Sequence, residues 1–205
     1  MNTNKNYSEV MIETAKRIQH IEEYYFSKKL AEVRSLDTPK LKVINLGIGS
    51  PDLAPAQPVI DALTSSAQKP TSHGYQSYKG IPEFRRGIAD FYNRTYDVIL
   101  DPETMILPLM GSKEGILHIS MAFLNEEDEV LIPDPGYPTY ASVTKLVGAK
   151  PRSYALKEEL NWGINLEELE QQDLSQVKIM WVNFPHIPTG RIASRDELQA
   201  VVNLA

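Results

Sequence analysis

An α/β fold, with a parallel-rich sheet held between helices, is predicted for this chain by three observations. From Asp101 onward, short apolar runs alternate with stretches of helical spacing. Polar loops rich in Gly and Pro follow three of those runs, at residues 111–115, 133–140 and 183–190. The 205 residues, 42% of them hydrophobic, supply one sizeable core. Strand–helix alternation of this kind needs crossover helices, which cover both faces of the sheet.

The elements follow in order. Residues 8–36 lack Gly and Pro and carry Val10, Met11, Ala15, Ile18, Ile21, Tyr25 and Val33 at helical spacing, which predicts one long N-terminal helix. Residues 41–46 read as a short strand before the flexible loop Gly47-Ile48-Gly49-Ser50-Pro51-Asp52. Pro58 opens a helix to about Ala67, and a polar loop holding Tyr75 and Tyr78 follows. Pro82 starts a helix expected to turn Phe84, Ile88, Phe91 and Tyr92 inward. Strands are then expected at 105–109, 130–132, 152–156 and 177–184. Helices are expected at 112–124, 139–147, 166–172 and 194–204. Residues 1–45 are read as an arm with the start of a smaller domain, and 46–205 as an incomplete larger domain. The last helix runs to Ala205 without a closing Gly or Pro, so the chain is expected to be truncated, with uncovered apolar surface.

Composition narrows the function. The balance of 21 Lys+Arg against 27 Asp+Glu gives a net charge of −6 and no basic block, which argues against nucleic acid as a partner. Cysteine is absent, which excludes disulfide frameworks, thiolate metal sites and thiol catalysis. The start MNTNKNYSEV lacks the basic-then-apolar pattern of a secretory signal. No run reaches the roughly 18 apolar residues of a membrane span. A cytoplasmic protein without a metal site is expected, since His20, His73, His118 and His186 show no ligand spacing.

Three loops offer chemistry. Gly111-Ser112-Lys113 stands where a strand turns into a helix, so free backbone N–H groups and the Ser112 hydroxyl form an anion cradle. The plain alternative is that Gly111 makes the turn and Ser112 caps the helix. Pro133-Asp134-Pro135-Gly136-Tyr137 fixes a tyrosine that can lie against a planar ligand, or simply packs on the surface. Asn183, His186 and Thr189 offer polar groups in a loop stiffened by Pro185 and Pro188, although His186 alone reads as a hydrogen-bonded loop residue. Taken together, the loops point to a planar, phosphorylated cofactor. Its phosphate would sit at residues 111–113, its ring on Tyr137 and its edge near 183–190.

Several motifs appear in order: Leu46 to Asp52, Tyr75 with Gly80, Gly111-Ser112-Lys113, Pro133 to Tyr137, and Pro188-Thr189-Gly190. This ordered set resembles the class I/II aminotransferases, the fold-type-I enzymes dependent on pyridoxal 5′-phosphate (PLP). The resemblance covers residues 20–205, about the N-terminal half of a family member. It implies the transfer of an amino group between an amino acid and a 2-oxo acid. It also implies that Gly111, Ser112 and Lys113 hold the phosphate and that Tyr137 stacks on the pyridine ring. Gly49 would approach the substrate carboxylate, and Tyr75 would reach the cofactor phosphate of a neighbouring subunit, giving a homodimer with shared active sites. Tyr24 is similar to a tyrosine that reaches the substrate in some members.

Two departures stand out. The family usually carries asparagine at the position of Ile187, where it hydrogen-bonds the cofactor's phenolic oxygen; Ile187 cannot, so either Asn183 or His186 compensates, or the pH optimum and reaction profile differ. The family's Schiff-base lysine, which would be the catalytic residue, matches no lysine here and is expected beyond residue 205. The chain alone is therefore expected to be inactive. A lyase or decarboxylase on the same scaffold, or a non-catalytic PLP-binding or interaction module, are the alternatives.

Overall fold

In the computed structural model, residues 13–19 and 25–205 are described. The chain divides into two compact units, one of residues 23–110 and one of 1–22 with 111–205.

Among its described residues, the 23–110 unit contains three α-helices. Helix α1 runs over Tyr25–Leu36, α2 over Gln57–Ala67 and α3 over Pro82–Tyr96, with a 3-10 turn at Pro70–His73. Pro58 and Pro82 lie at the helix starts, where a missing N–H costs nothing. Four sequence expectations fail here or at its border. No continuous helix spans 8–36: Ala15 is extended and a 3-10 turn covers Lys16–Ile18, while α1 covers Tyr25–Leu36 of the described residues. Residues 41–46 and 105–109 form no strand, because neither run finds a pairing partner. The apolar stripe of α3 is not turned inward, since Phe84 is 54% and Phe91 46% exposed, with Tyr92 exposed and Ile88 half-buried. Periodicity names a stripe and not what covers it.

The buried residue of α3 is instead Arg85. Its Nε donates to the Pro102 carbonyl (2.8 Å), and Nη1 donates to the carbonyls of Gly80 (2.7 Å) and Lys79 (3.4 Å). Nη2 meets both Glu103 oxygens at 2.8 and 2.9 Å. A buried guanidinium is tolerable only with its donors satisfied in this way. Arg85 thus ties the loop that follows Tyr75 to the turn at residues 102–103.

The other unit is built on a four-stranded sheet. Its strands are β1 (Glu129–Asp134), β2 (Lys150–Lys157), β3 (Gly163–Ile164) and β4 (Val177–Met180), in spatial order β3-β2-β1-β4. The β1 strand pairs in parallel with both β2 and β4, while β3 is antiparallel to β2. The predicted parallel sheet is present, with one antiparallel edge that two residues of sequence could not announce. Strand β4 is also shorter than the expected 177–184, although Trp181 N still donates to the Leu131 carbonyl (2.9 Å).

Helices α4 (Ser112–Phe123) and α5 (Pro138–Leu146) cover one face. Val130 and Ile132 of β1 pack there with Ile116, Leu124, Tyr140, Val143 and Trp181. Helices α6 (Leu166–Glu170) and α7 (Arg195–Leu204) lie on the other face, where Leu131 packs with Tyr154, Leu156, Leu169 and Leu204. The alternation along β1 is the period-two signature of a strand covered on both sides. A register shift opposite Glu129 and Val130 places Val177 and Met180 toward α6 and α7, with Ile179 and Trp181 toward α4 and α5. Val130 and Leu131 are essentially fully buried, each worth about 1.5–3 kcal/mol.

Candidate functional site

Helix α4 begins at Ser112 with Gly111 as its N-cap residue, and no side chain caps it. By contrast, Asn165 caps α6 by accepting from Glu168 N (3.2 Å), and Ser194 caps α7 by accepting from Glu197 N (3.2 Å). Gly111 adopts φ 107°, a conformation reserved for glycine, although a Cβ there would meet nothing. The first turn of α4 therefore presents N–H groups outward, next to the exposed Ser112 hydroxyl. The Lys113 ammonium lies 5.8 Å from the centre of the Tyr137 ring, so a positive charge and an aromatic face meet beside that turn.

Tyr137 follows β1 at the carboxyl end of the strand. A Cβ at Gly136 would stand 2.2 Å from the Pro133 carbonyl oxygen, so only glycine permits the chain to fold back tightly enough. The tyrosine then becomes the N-cap residue of α5. Beneath it lies an aromatic stack that the sequence reading missed. Tyr140 stands edge-on to Tyr137 (5.7 Å, 84°) and lies parallel to Trp181 (5.2 Å, 12°). Burial, followed by the neighbouring Tyr137, raises the Tyr140 hydroxyl above its ordinary pKa. The Tyr154 hydroxyl donates to the Trp181 carbonyl (2.7 Å), and burial pushes its pKa well up. A tyrosine three residues past Tyr137 at a helix start was the available signal. That Trp181 would meet it depends on β4 lying next to β1.

The loop after β4 is organised from within. The Asn183 Oδ1 accepts from Ile187 N (3.2 Å). His186 is 2% exposed, with Nδ1 2.8 Å from Thr189 Oγ1 and its backbone N donating to the Arg191 carbonyl (2.7 Å). Burial lowers its pKa, the nearby Pro135 carbonyl partly restores it, and the Arg191 charge lowers it again. Among the described residues, the buried Nε2 has no hydrogen-bond partner. Arg191 pairs with Glu197 Oε2 (2.7 Å) and lies over the Phe184 ring (5.5 Å). Among the described residues its Nε and Nη1 find no oxygen partner, and the ring face lies beside them. Ile187 is 57% exposed.

Of the residues expected in a site, the structure gathers Gly111, Ser112, Lys113, Tyr137 and Asn183 at the carboxyl ends of β1 and β4 and the start of α4, all in one unit. Gly49 and Tyr75 belong to the other unit; Gly49 is exposed and Tyr75 fully so. Tyr24 lies outside the described residues. Among the described residues, no cluster of His, Asp and Glu could hold a metal ion. No described helix is long and apolar enough to cross a membrane.

The donor set fits a phosphorylated ring such as PLP. The uncapped turn and the Ser112 hydroxyl suit an anion, Tyr137 supplies a flat face, and Asn183 lies at the neighbouring strand end.

Comparison with known proteins agrees. Residues 41–205 match the family described as aminotransferase class I and II. The LL-diaminopimelate aminotransferase of Dehalococcoides mccartyi (strain CBDB1) is 39% identical over 194 residues, covering 93% of this chain and 49% of that protein. Its counterpart from Aquifex aeolicus is 38% identical over 180 residues, covering 88% and 46%. Among solved structures, the apo BacF structure from Bacillus subtilis superposes with a TM-score of 0.88 at 31% identity, covering 95% of this chain and 50% of that one. An alanine aminotransferase from Pyrococcus furiosus gives a TM-score of 0.85 at 28% identity, covering 94% and 49%. The chain spans about half the length of the curated relatives it matches.

Proposed function

This chain belongs to the aminotransferase class I and II family, and on that premise we propose that the whole protein transfers an amino group between an amino acid and a 2-oxo acid with PLP. The observation that carries the reading is the meeting of an uncapped helix start, the Ser112 hydroxyl and the Lys113–Tyr137 pair at 5.8 Å. Bound there, PLP supplies the electron sink that makes the α-proton of an amino acid removable.

The residues of this chain do the holding. The first-turn N–H groups of α4 and the Ser112 hydroxyl bind the phosphate, with the helix dipole and the Lys113 ammonium favouring its charge. Tyr137 supports the ring face, and the Tyr140–Trp181 stack keeps Tyr137 from tilting. Asn183 contacts the ring edge. Gly49 is proposed, on the family resemblance, as a substrate-binding residue. Tyr75, wholly exposed, serves the phosphate site of a second copy, so the working form is a homodimer. Tyr24 is proposed as a substrate-binding residue on the family resemblance alone. Residues 1–45 act as an arm and 46–205 as the front of the cofactor-binding domain, in a cytoplasmic enzyme.

The curated relatives are named for LL-diaminopimelate. What is carried over here is the reaction class and an amino acid substrate. The test is an assay of the whole protein with PLP, a panel of amino acids and 2-oxoglutarate, following formation of the new amino acid. Turnover that needs both substrates supports the proposal. A folded, PLP-loaded protein without transfer to any of several 2-oxo acids would refute it.

A further inference from the structure

Among the described residues of the 23–110 unit, Arg85 is the one that is buried. A guanidinium taken out of water needs its donors used, and the five N–H groups of Arg85 all find acceptors. Nη1 reaches back to the carbonyls of Gly80 (2.7 Å) and Lys79 (3.4 Å), five and six residues earlier. Nε and Nη2 reach forward to the Pro102 carbonyl and the Glu103 carboxylate. That forward anchor is braced in turn, because the Asp101 carboxylate accepts from Glu103 N (2.9 Å) and from the Thr104 hydroxyl (2.6 Å).

The Lys79 and Gly80 carbonyls close a tight turn. Gly80 N donates to the Ser77 carbonyl (2.9 Å), and Lys79 N donates to the Ser77 hydroxyl oxygen (3.2 Å). Gly80 has φ 77°, and a Cβ there would stand 3.1 Å from Pro108 Cγ, so the turn is seated closely on that ring. The turn begins two residues after Tyr75, whose side chain lies in solvent, as does that of Tyr78. A buried charged side chain committed to a surface turn marks a loop whose position matters.

We propose that Arg85 is a positioning residue for the cofactor site: by holding the Lys79 and Gly80 carbonyls it fixes the turn from which Tyr75 reaches the phosphate. The inference rests on the reading of Tyr75 as a phosphate contact between two copies of the chain. Arg85 itself touches no cofactor. Without its grip the turn moves, the Tyr75 hydroxyl is no longer held in one place, and ordering it again on binding weakens the contact.

The experiment is a PLP titration of the folded whole protein, followed by absorbance, for wild type, Tyr75→Phe, Arg85→Lys and the double variant, with melting curves to confirm folding. Tyr75→Phe removes the phosphate donor. Arg85→Lys keeps the charge and gives up the fork that spans Gly80 and Pro102. Each single variant is expected to bind PLP about tenfold more weakly, the worth of one hydrogen bond to a charged group. The double variant is expected to bind no more weakly than Tyr75→Phe, because Arg85 acts only through that hydroxyl. A merely structural arginine would give losses that multiply in the double variant, or no loss in Arg85→Lys, and either result would overturn the proposal. Should Arg85→Lys not fold, Arg85→Gln, which keeps an uncharged donor group, takes its place in the same comparison. Failure of both to fold would make Arg85 a folding residue and overturn the proposal equally. Wild-type affinity in Tyr75→Phe would instead remove the reading of Tyr75, and the role of Arg85 with it. A weakened Tyr75→Phe beside an unaffected Arg85→Lys leaves that reading standing and removes only the role of Arg85.

Discussion

Tyr140 and Trp181 stack in parallel, 5.2 Å apart and 12° from coplanar, although they stand forty-one positions apart in the chain. One comes from the first turn of α5 and the other from the residue after β4. Because Tyr137 stands edge-on to Tyr140, this stack sets the tilt of the half-buried Tyr137 ring. Tyr140→Ala is expected to cost about 3–4 kcal/mol, and Trp181→Phe less because a ring remains. Chemical denaturation gives the energies. A PLP titration of the folded Trp181→Phe protein is expected to show weaker binding than wild type.

Gly136 and Gly49 should respond in opposite ways to the same change. Alanine at 136 would press a Cβ to 2.2 Å from the Pro133 oxygen, so Gly136→Ala is expected to destabilise the sheet unit by several kcal/mol, about 2–4, and displace Tyr137. Gly49 has open space and no positive φ, so Gly49→Ala should leave melting unchanged. If Gly49 borders the substrate, the same variant raises KM. Melting curves with steady-state kinetics separate the two.

Arg85→Ala is expected to destabilise the 23–110 unit by about 2–3 kcal/mol, because the Pro102 and Gly80 carbonyls lose their donors. The ion pair with Glu103 contributes little of this, since that carboxylate side chain is 62% exposed. Arg85→Lys should recover only part of the loss, as an ammonium cannot span the same partners. Urea titrations of both variants test the order.

The same contrast explains what could be read from sequence. Strands β1 and β2 and helices α4, α5 and α7 were legible because each has a strong apolar run or periodicity and a clear start or stop. The runs at 41–46 and 105–109 looked similar, yet strand formation needs a partner edge, and a partner is not encoded in the run itself. Antiparallel β3, two residues long, carries no pattern at all. At the site, Ser112 and Tyr137 were visible through their Gly and Pro surroundings. The Tyr140–Trp181 stack was not, because it requires the order of the strands. That His186 is buried while Asn183 stays half-buried is likewise a property of the folded loop and not of its sequence.

His186 gives a pH signature. Its pKa is lowered on folding, mainly by burial, so the unfolded chain binds the proton that the folded loop resists. Stability from this group is intact above the unfolded imidazole value of about 6.5 and declines as pH falls through it, levelling off only below the folded value. His186→Gln should flatten that acid-side slope. Melting temperatures between about pH 5 and about pH 8 test this, and a slope unchanged in the variant would assign it to other groups.

The central claim, that the start of α4 is the phosphate site of a PLP enzyme, is tested most directly by PLP binding to Ser112→Asp. A carboxylate in the first turn suits the helix dipole, so the fold should be as stable as wild type or slightly more so. The same charge repels a phosphate. The account predicts a folded Ser112→Asp protein whose affinity for PLP, followed by absorbance, falls at least tenfold. A folded variant that binds PLP as tightly as wild type would contradict it.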